Sequence, residues 1–403
     1  MKDLPKLANS QRIQSIDMIR GVALFGVFLV NLPSMNTALC LVEETFAGVK
    51  SSRDVFVNDL VYLFFADKFY PLFSFLFGAS LFLFLDNKKS ELKSPMRLLL
   101  RRLLLLALFG AFHVLLVWWG DILLLYALTG TMVLLLRNLQ ATALLKTGLG
   151  LLLVPTMMLL LYTGWYHASG QMVDESVDEY CSEEMLLEDA QVYRHGSFGV
   201  IAQKRIQDFL AAYLSGFGDG FFETMASASY YLQVGGLMVL GGASVRGGFW
   251  RDDYHHHRGL WLSTGFLTFF LGFIGYALFW SEFPLHYDLA YALFPISGPA
   301  MAFGYLVLLR DLTRILPEKM LLPFSCLGKM SLTNYLFQTT FGSLLLYGYG
   351  LGYYGMLGPA RMTAIVVGVY LFQLWASTLW MKRYHQGPME WVVRRGVYAG
   401  TAK

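Results

Sequence analysis

The sequence predicts an all-α, polytopic integral membrane protein with about ten transmembrane helices in a single domain, residues 1–403. The first observation is composition: 56% of the residues are hydrophobic, only 15% are charged and the mean hydropathy is +0.50. A soluble domain carries roughly a quarter charged residues. The second observation is a series of apolar runs of about 20 residues, the length that crosses the hydrocarbon core as a helix. These runs are too long and too uniformly apolar for barrel strands.

Ten runs are long enough to be spans, down to about 17 residues. They cover 19–40, 69–85, 98–119, 121–136, 147–165, 227–244, 260–280, 287–309, 325–348 and 362–381. The second and fourth are the least regular, because one has a polar lead-in and the other is short. Basic residues precede the first run as in a signal peptide, but no small-x-small cleavage site follows. We therefore expect an uncleaved first transmembrane helix.

Lys and Arg are distributed unevenly between alternate connections. With the N-terminus in the cytoplasm, 24 of them lie on the cytoplasmic side and 7 on the other. The positive-inside rule therefore predicts a bacterial inner-membrane protein with both termini in the cytoplasm, including a cytoplasmic tail at 382–403. The net charge of +3 is small and spread over short clusters, so nucleic acid is not an expected partner.

Two connections depart from the pattern of short loops. The long extracytoplasmic loop 166–226 opens with acidic residues and then places apolar residues at helical spacing from Val200 to Leu214, which predicts an amphipathic helix on the membrane face. The connection 252–258 contains three adjacent histidines and two aspartates. Sequence neighbours rarely share tetrahedral metal geometry, so a solvated loop is favoured and no metal site is expected.

His113 is the sharpest candidate within a span. It lies eleven residues beyond Arg102, about 16 Å deeper in the membrane at the rise of an α-helix. A neutral imidazole there suits a general base or a proton relay. The alternative is a histidine that only packs against a neighbouring helix.

Asp121 follows Trp118 and Trp119, two residues typical of an aromatic belt at the membrane surface. It precedes the next span, where a carboxylate caps a helix, and it is equally a candidate for orienting or charging a substrate site. Lys68, at the outer edge of the second span, either extends to the interface or attracts an anion.

The first span repeats the spacing of the third. Arg20 lies at the cytoplasmic edge and Asn31 eleven residues on, level with His113. Asp17 is three residues before Arg20 and is expected to pair with it. Pro33 is expected to open the helix beside Asn31, as happens where backbone lines a cavity.

A polar stripe runs along the ninth span, at Ser331, Asn334, Tyr335 and Gln338. This i, i+3, i+4, i+7 spacing places all four on one helix face. Such a stripe either holds helices together or lines a site. We expect the first, third and ninth spans to converge on a polar pocket that holds Arg20, Asn31, His113, Asn334 and Gln338.

Several short motifs combine glycine, aromatic and polar residues in a characteristic order. They are Arg20-Gly21 with Val30-Asn31, Phe73-Ser74 with Gly78, His113 with Gly120-Asp121-Ile122-Leu123 and Tyr126, Leu332-Thr333-Asn334-Tyr335 with Gln338, and Gly387-Pro388 with Glu390-Trp391. In this content and order the chain resembles the YeiB-like bacterial membrane proteins over nearly its whole length. That family is a domain of unknown function, similar to a broader set of multi-pass membrane acyltransferases.

The resemblance implies a transmembrane-acyltransferase-like bundle, an acyl-CoA as donor substrate and no bound cofactor. Arg20 matches the arginine of the acyltransferase signature, but Asn31 stands where those proteins carry a histidine. Asparagine cannot act as a general base, so His113, together with Asp121, becomes the candidate. Tyr126 and Tyr335 join the candidate substrate-binding residues.

Two functions stay open from the sequence. The first is acyl transfer from a cytoplasmic donor to an acceptor at or across the membrane. The second is transport or flipping of a small amphipathic solute or lipid, with His113 as a proton relay. The expected partners are membrane lipids and a small-molecule or lipid-linked substrate, and the sequence makes no prediction of oligomeric state.

Overall fold

In a computed structural model of the chain, the described residues are 14–38, 51–86, 95–169, 183–214, 221–250, 254–278 and 284–399. Within these ranges the structure is helical and contains no strand. The helices are α1 (Gln14–Met35), α2 (Ser52–Phe64), α3 (Phe69–Leu85), α4 (Pro95–Leu116), α5 (Leu123–Val133), α6 (Ala141–Ala168), α7 (Glu183–His195), α8 (Phe198–Leu214), α9 (Phe221–Arg246), α10 (Tyr254–Ala277), α11 (Pro284–Ile315), α12 (Glu318–Lys329), α13 (Ser331–Leu346), α14 (Pro359–Arg383) and α15 (Pro388–Val397).

Seven helical segments of the described chain are long and apolar enough to cross a membrane. They lie in α1, the segment Ser52–Leu85 formed by α2 and α3, and α4, α6, α10, α11 and α14. The prediction of an all-α, polytopic membrane protein is therefore confirmed. The other three predicted spans fall on α5 with its 3-10 extension Leu134–Leu136, on the more polar α9, and on the 16-residue α13.

Helix α1 lies at the centre of the bundle and packs against α3, α12, α13 and α14. Its approach to α12 is close enough to require glycine on both helices. A Cβ atom on Gly21 would collide with the carbonyl oxygen of Phe324, and one on Gly328 would collide with that of Asp17. Small residues allow helices to pack this closely in membranes. Arg20 precedes Gly21 in this close contact, so it lies on a part of α1 that is tightly packed.

Pro33 does not open α1, contrary to the sequence-based expectation. The helix continues past Asn31 to Met35 with Pro33 inside it. The Ser34 hydroxyl donates to the carbonyl of Val30 at 3.0 Å, and the Thr37 hydroxyl donates to that of Pro33 at 3.1 Å. Local side chains satisfy carbonyls near the proline, which is how such residues are tolerated in membrane helices.

The predicted ninth span is two helices rather than one. The chain breaks at Met330, between α12 and α13, with backbone angles outside the helical region. The amides of Leu332 and Thr333 then donate to the Glu390 carboxylate at 2.8 and 3.1 Å. A carboxylate is favourable at a helix N-terminus, so α15 supplies the cap for α13 from far along the sequence.

The region 183–214 forms two helices, and the second coincides with the predicted amphipathic segment. Part of its apolar side faces the protein rather than the membrane, because Ile201 is fully buried in a core cluster with Tyr193. Val200, Ile206 and Leu210 are exposed.

Trp118 and Trp119 belong to the same cluster as Ile201 and are 4% and 8% exposed, so they are core residues rather than an aromatic belt.

Two sequence features lie outside the described residues. They are the acidic stretch from Asp174 to Glu179 and the pair Asp252-Asp253. The three histidines that follow this pair lie in the first turns of α10, so the expected solvated loop is wrong for them.

Candidate functional site

A cavity of about 580 Å³ follows one face of α1. Arg20, Leu24, Val27, Asn31 and Ser34 line it in turn, at successive helical spacings. Fourteen residues of helix measure about 21 Å, so the cavity extends through most of the depth that α1 covers. Its volume is that of an ordinary small-molecule site.

One end of the cavity is basic. Arg20, Arg102, Lys329 and Arg394 line it there, with the Glu390 carboxylate. Arg20 is fixed by Asp17, 3.6 Å away, and donates to the Ser80 hydroxyl, so the predicted pairing with Asp17 is present. Glu390 is also committed, because it accepts from Leu332, Thr333 and the Thr333 hydroxyl. Four cations around one capping carboxylate leave this end suited to an anionic group.

The middle of the cavity is apolar and the far end is aromatic and polar. Phe73, Phe77, Leu106 and Leu123 form part of the middle wall. The residues that line the far end share aromatic or hydroxyl character and include one carboxylate. They are Phe65, Asp67, Phe69, Tyr70, Trp118, Trp119, Tyr213 and Tyr230.

Tyr126 lines the cavity between these regions. Its hydroxyl donates to the carbonyl of Tyr70 at 3.0 Å and lies 2.9 Å from the Ser74 hydroxyl. Tyr126, a substrate-binding candidate from the sequence, therefore lies in the cavity wall. The same wall is tied to α9, because the Tyr70 hydroxyl donates to Gln233.

His113 and Asp121 form a buried pair. The Nδ1 atom of His113 lies 3.0 Å from Oδ1 of Asp121, an ion-pair distance without the alignment of a hydrogen bond, and both side chains are fully buried. His113 Nε2 is 2.9 Å from the Thr339 hydroxyl, which also donates to the carbonyl of Tyr335 at 3.1 Å.

Asp121 caps α5 as the sequence indicated. Its Oδ2 atom accepts from the amide of Leu124 at 2.7 Å. One oxygen of this carboxylate therefore caps α5 while the other contacts His113, and the role in orienting or charging a substrate stays a prediction. The Tyr213 hydroxyl donates to the backbone carbonyl of Asp121 at 3.3 Å, which ties this pair to α8.

The His113–Asp121 pair lies behind the cavity wall. Tyr335 lines the cavity, and its ring is centred 5.4 Å from that of His113. Gly120 and Ile122, on either side of Asp121 in sequence, also line the cavity. The pair is thus one side chain away from the space that a ligand would occupy.

Asn334 and Gln338 connect α13 to α14. The Asn334 amide donates to the Ser377 hydroxyl at 3.1 Å, and the Gln338 amide donates to Gln373 at 2.8 Å. Gln373 in turn donates to the carbonyl of Asn334 at 3.0 Å. These two residues hold helices together, which is one of the two interpretations that the polar stripe allowed.

Lys68 does not extend to the interface. It is fully buried, its ammonium donates to the carbonyl of Tyr62 at 2.9 Å, and it lies 3.1 Å from the centre of the Tyr276 ring.

Of the predicted site residues, the cavity wall contains Arg20, Asn31, Tyr126 and Tyr335. His113, Asp121, Lys68, Asn334 and Gln338 are not among the lining residues.

Sequence reasoning missed several lining residues, notably Asp67, Arg102, Lys329 and Arg394. Asp67, Arg102 and Lys329 stand near the ends of apolar runs and Arg394 stands in the predicted cytoplasmic tail, where charges have an ordinary role at the membrane surface. Their convergence depends on tertiary packing, so spacing along the chain gave no signal for it.

A multi-pass helical membrane protein with an internal cavity, basic at one end, is the class that this fold and site define. The family described as "Protein of unknown function (DUF418)" matches residues 245–400. The uncharacterized protein YxaH of Bacillus subtilis (strain 168) is 31% identical, over 99% of this chain and 97% of its own. The uncharacterized protein YeiB of Escherichia coli (strain K12) is 28% identical, over 96% of each chain.

The chain belongs to this YeiB-like DUF418 family, which confirms the resemblance seen in the sequence motifs. No solved structure matches the chain.

Proposed function

We propose that this protein is a membrane acyltransferase that takes its acyl group from a phosphate-bearing donor such as an acyl-CoA. The observation that carries the proposal is the cavity itself, with four cations at one end and an apolar middle. An amphipathic anion matches both features, because guanidinium groups bind phosphate in a bidentate fashion and acyl chains are excluded from water.

In this proposal the donor's phosphates contact Arg20, Arg102, Lys329 and Arg394. The apolar part of the donor lies along the middle wall, against Phe73, Phe77, Leu106 and Leu123. The acceptor enters at the far end, where tyrosine hydroxyls and the Asp67 carboxylate offer hydrogen bonds. The reacting groups meet inside the protein, where bulk water is excluded.

His113 has a positioning role in this arrangement. It contacts Asp121 before α5 and Thr339 on α13, the helix that presents Tyr335 to the cavity. The direct general-base role inferred from the sequence stays a prediction, and substitution of His113 tests it below.

A transporter or flippase of a small amphipathic solute or lipid is the second candidate. The observation that favours it is the length of the cavity, about 21 Å along α1 with polar groups at both ends. Movement of a solute between two polar ends across an apolar middle requires no catalytic residue in the cavity wall.

The decisive experiment is native mass spectrometry of the purified protein, followed by a transfer assay with radiolabelled palmitoyl-CoA and an extract of bacterial envelope lipids and glycans. Acyl transfer predicts a bound acyl-CoA and label that moves to an acceptor only when the protein is present. A bound lipid or solute, with movement of that molecule across proteoliposomes and no label transfer, would replace the first function by the second.

The proposed location is the bacterial inner membrane, with both termini in the cytoplasm. Single cysteines at Glu188 and His385, both exposed, report the two sides in a background without the native cysteines. An impermeant thiol reagent added to spheroplasts is expected to label position 188 alone. Label at position 385 in intact spheroplasts would reverse the orientation.

A further inference from the structure

The connection between α2 and α3 holds Asp67 in an unusual backbone conformation. Its φ angle is +58°, and it is the one non-glycine residue with positive φ in the described chain. Aspartate and asparagine tolerate this left-handed region better than most residues, yet such conformations persist only where the surroundings fix them. Here α11 does so, because a Cβ on Gly298 would collide with the Asp67 carbonyl oxygen.

Lys68, the next residue, is held in place by its neighbours. It is enclosed by the Tyr62 carbonyl and the Tyr276 ring, which lies at cation–π distance. The Asp67 carboxylate is the opposite charge that acts on this amine.

Asp67 differs from the other acidic residues of the bundle in its access to the cavity. It lines the far end and is partly exposed, whereas Asp17 and Asp121 are 2% and 1% exposed. Glu390 also lines the cavity, at the basic end, but is committed as a helix cap. The Asp67 carboxylate accepts one hydrogen bond, from the Tyr276 hydroxyl at 3.1 Å.

We propose that Asp67 is the acid–base residue of this cavity, with the buried amine of Lys68 beside it in the chain. The titratable groups near its carboxylate are Lys68 and the phenols of Tyr62, Tyr70, Tyr230 and Tyr276. Lys68 does not line the cavity, and phenols stay protonated at neutral pH. Asp67 is therefore the group of this cluster that can take up and release a proton beside a ligand.

In acyl transfer, on which this one step depends, Asp67 accepts the proton of the acceptor hydroxyl. The acceptor oxygen bonds to the acyl carbon as the carbon–sulfur bond of the thioester breaks. The proton then passes from Asp67 to the departing thiolate, which leaves as a thiol. Donor and acceptor supply every atom, and no oxidant or reductant enters.

The experiment uses dicyclohexylcarbodiimide, an apolar reagent that reacts with protonated carboxylic acids. The carboxyl proton moves to one carbodiimide nitrogen, the carboxyl oxygen bonds to the central carbon, and the acyl group migrates to nitrogen as a stable N-acylurea. Peptide mass spectrometry of the full-length protein is expected to find the adduct at Asp67 and not at Asp17 or Asp121. The adduct is expected to increase as pH falls, and palmitoyl-CoA is expected to reduce it several-fold.

The matched variants are Lys68→Met and Lys319→Met, the second at an exposed position. Loss of the neighbouring cation favours the protonated carboxyl, so Lys68→Met is expected to extend labelling of Asp67 to higher pH. Lys319→Met is expected to label like the native protein. Labelling that is absent from Asp67, or a pH dependence unaffected by Lys68→Met, would overturn the proposal.

Asp67→Asn completes the test, because asparagine accepts the same left-handed backbone. It is expected to bind palmitoyl-CoA like the native protein and to lose transfer activity by about 10²–10⁴-fold, the usual share of acid–base catalysis. A folded Asp67→Asn protein with full transfer activity would contradict the catalytic step. If the native protein transfers no acyl group while the carbodiimide results hold, acyl transfer fails and the acid–base site stands.

Discussion

The carboxylate of Asp121 contacts His113 with one oxygen, at 3.0 Å from Nδ1, and caps α5 with the other, at 2.7 Å from the Leu124 amide. His113 belongs to α4 and reaches α13 through Thr339 at 2.9 Å. The pair of Asp121 and His113 therefore connects three helices whose neighbouring residues form the cavity wall. The following predictions test this connection and the basic end of the cavity.

Substitution of His113 separates structure from direct catalysis. His113→Ala leaves Asp121 and Thr339 without their partner, so we expect a lower unfolding temperature and a lower yield. Glutamine retains hydrogen-bonding capacity, and His113→Gln is expected to restore both, with acyl transfer close to native. Thermal unfolding and the transfer assay are measured side by side. A stable His113→Gln protein that loses about 10²–10⁴-fold in activity would instead make His113 the general base.

Substitution of Asp121 is expected to cost more stability than His113→Gln. Asp121→Ala removes the cap of α5 and leaves buried polar groups of His113 and Leu124 without a partner, and each such group typically costs about 1–3 kcal/mol. Asp121→Asn keeps an oxygen for the Leu124 amide and should lose less. The unfolding temperature in detergent orders the variants. Equal stability of Asp121→Ala and the native protein would contradict the role described for this pair.

The basic end of the cavity is tested by two adjacent arginines of α15. Arg394 lines the cavity, while Arg395 is exposed and stacks near Trp391. Arg394→Gln is expected to weaken palmitoyl-CoA binding about 10–100-fold, the worth of a hydrogen bond to a charged group. Arg395→Gln should bind like the native protein. Isothermal titration measures both, and equal losses for the two variants would rule out a specific anion contact.

Glu390 is expected to hold α15 in place over the basic end. Glu390→Gln keeps the size of the side chain but removes the charge that accepts from Leu332 and Thr333, so the first turn of α13 and α15 should open more readily. Hydrogen exchange of peptides covering 331–335 and 388–397 is expected to accelerate. Glu318→Gln, at an exposed position in α12, is the control. Unchanged exchange in Glu390→Gln would show that the cap is not needed for docking.

Local patterns predicted the fold well because the membrane imposes a length and a polarity on each span. The periodicity around Asn334 and Gln338 correctly indicated one polar face, and Asp121 was expected to cap its helix. The opening at Pro33 and the unbroken ninth span were wrong. In both places distant or local side chains satisfy the backbone, Ser34 and Thr37 in the first case and Glu390 in the second. Glu390 is remote in sequence and cannot be seen in a window of 20 residues, whereas Ser34 and Thr37 lie inside such a window but their hydrogen bonds depend on side-chain conformation.

The candidate site was predicted less completely than the fold. Depth counting placed His113 and Asn31 at one level, but depth does not say which way a side chain faces. Asn31 faces the cavity and His113 faces Thr339 and Asp121. Asp67 and Arg394 were overlooked as site residues because charges at the ends of apolar runs and in a cytoplasmic tail are common. Only the packing of α1 against α3, and of α15 against α4 and α13, brings them to one cavity.

The cap that Glu390 places on α13 also sets an order of assembly during biosynthesis. Leu332 and Thr333 enter the membrane 58 and 57 residues before their carboxylate partner is synthesised. Until α15 emerges from the ribosome, the amides at the start of α13 lack that acceptor and the cavity lacks Arg394. The basic end is therefore the last part of the protein to close, and a chain truncated before residue 388 would insert most of its helices yet leave this end unfinished.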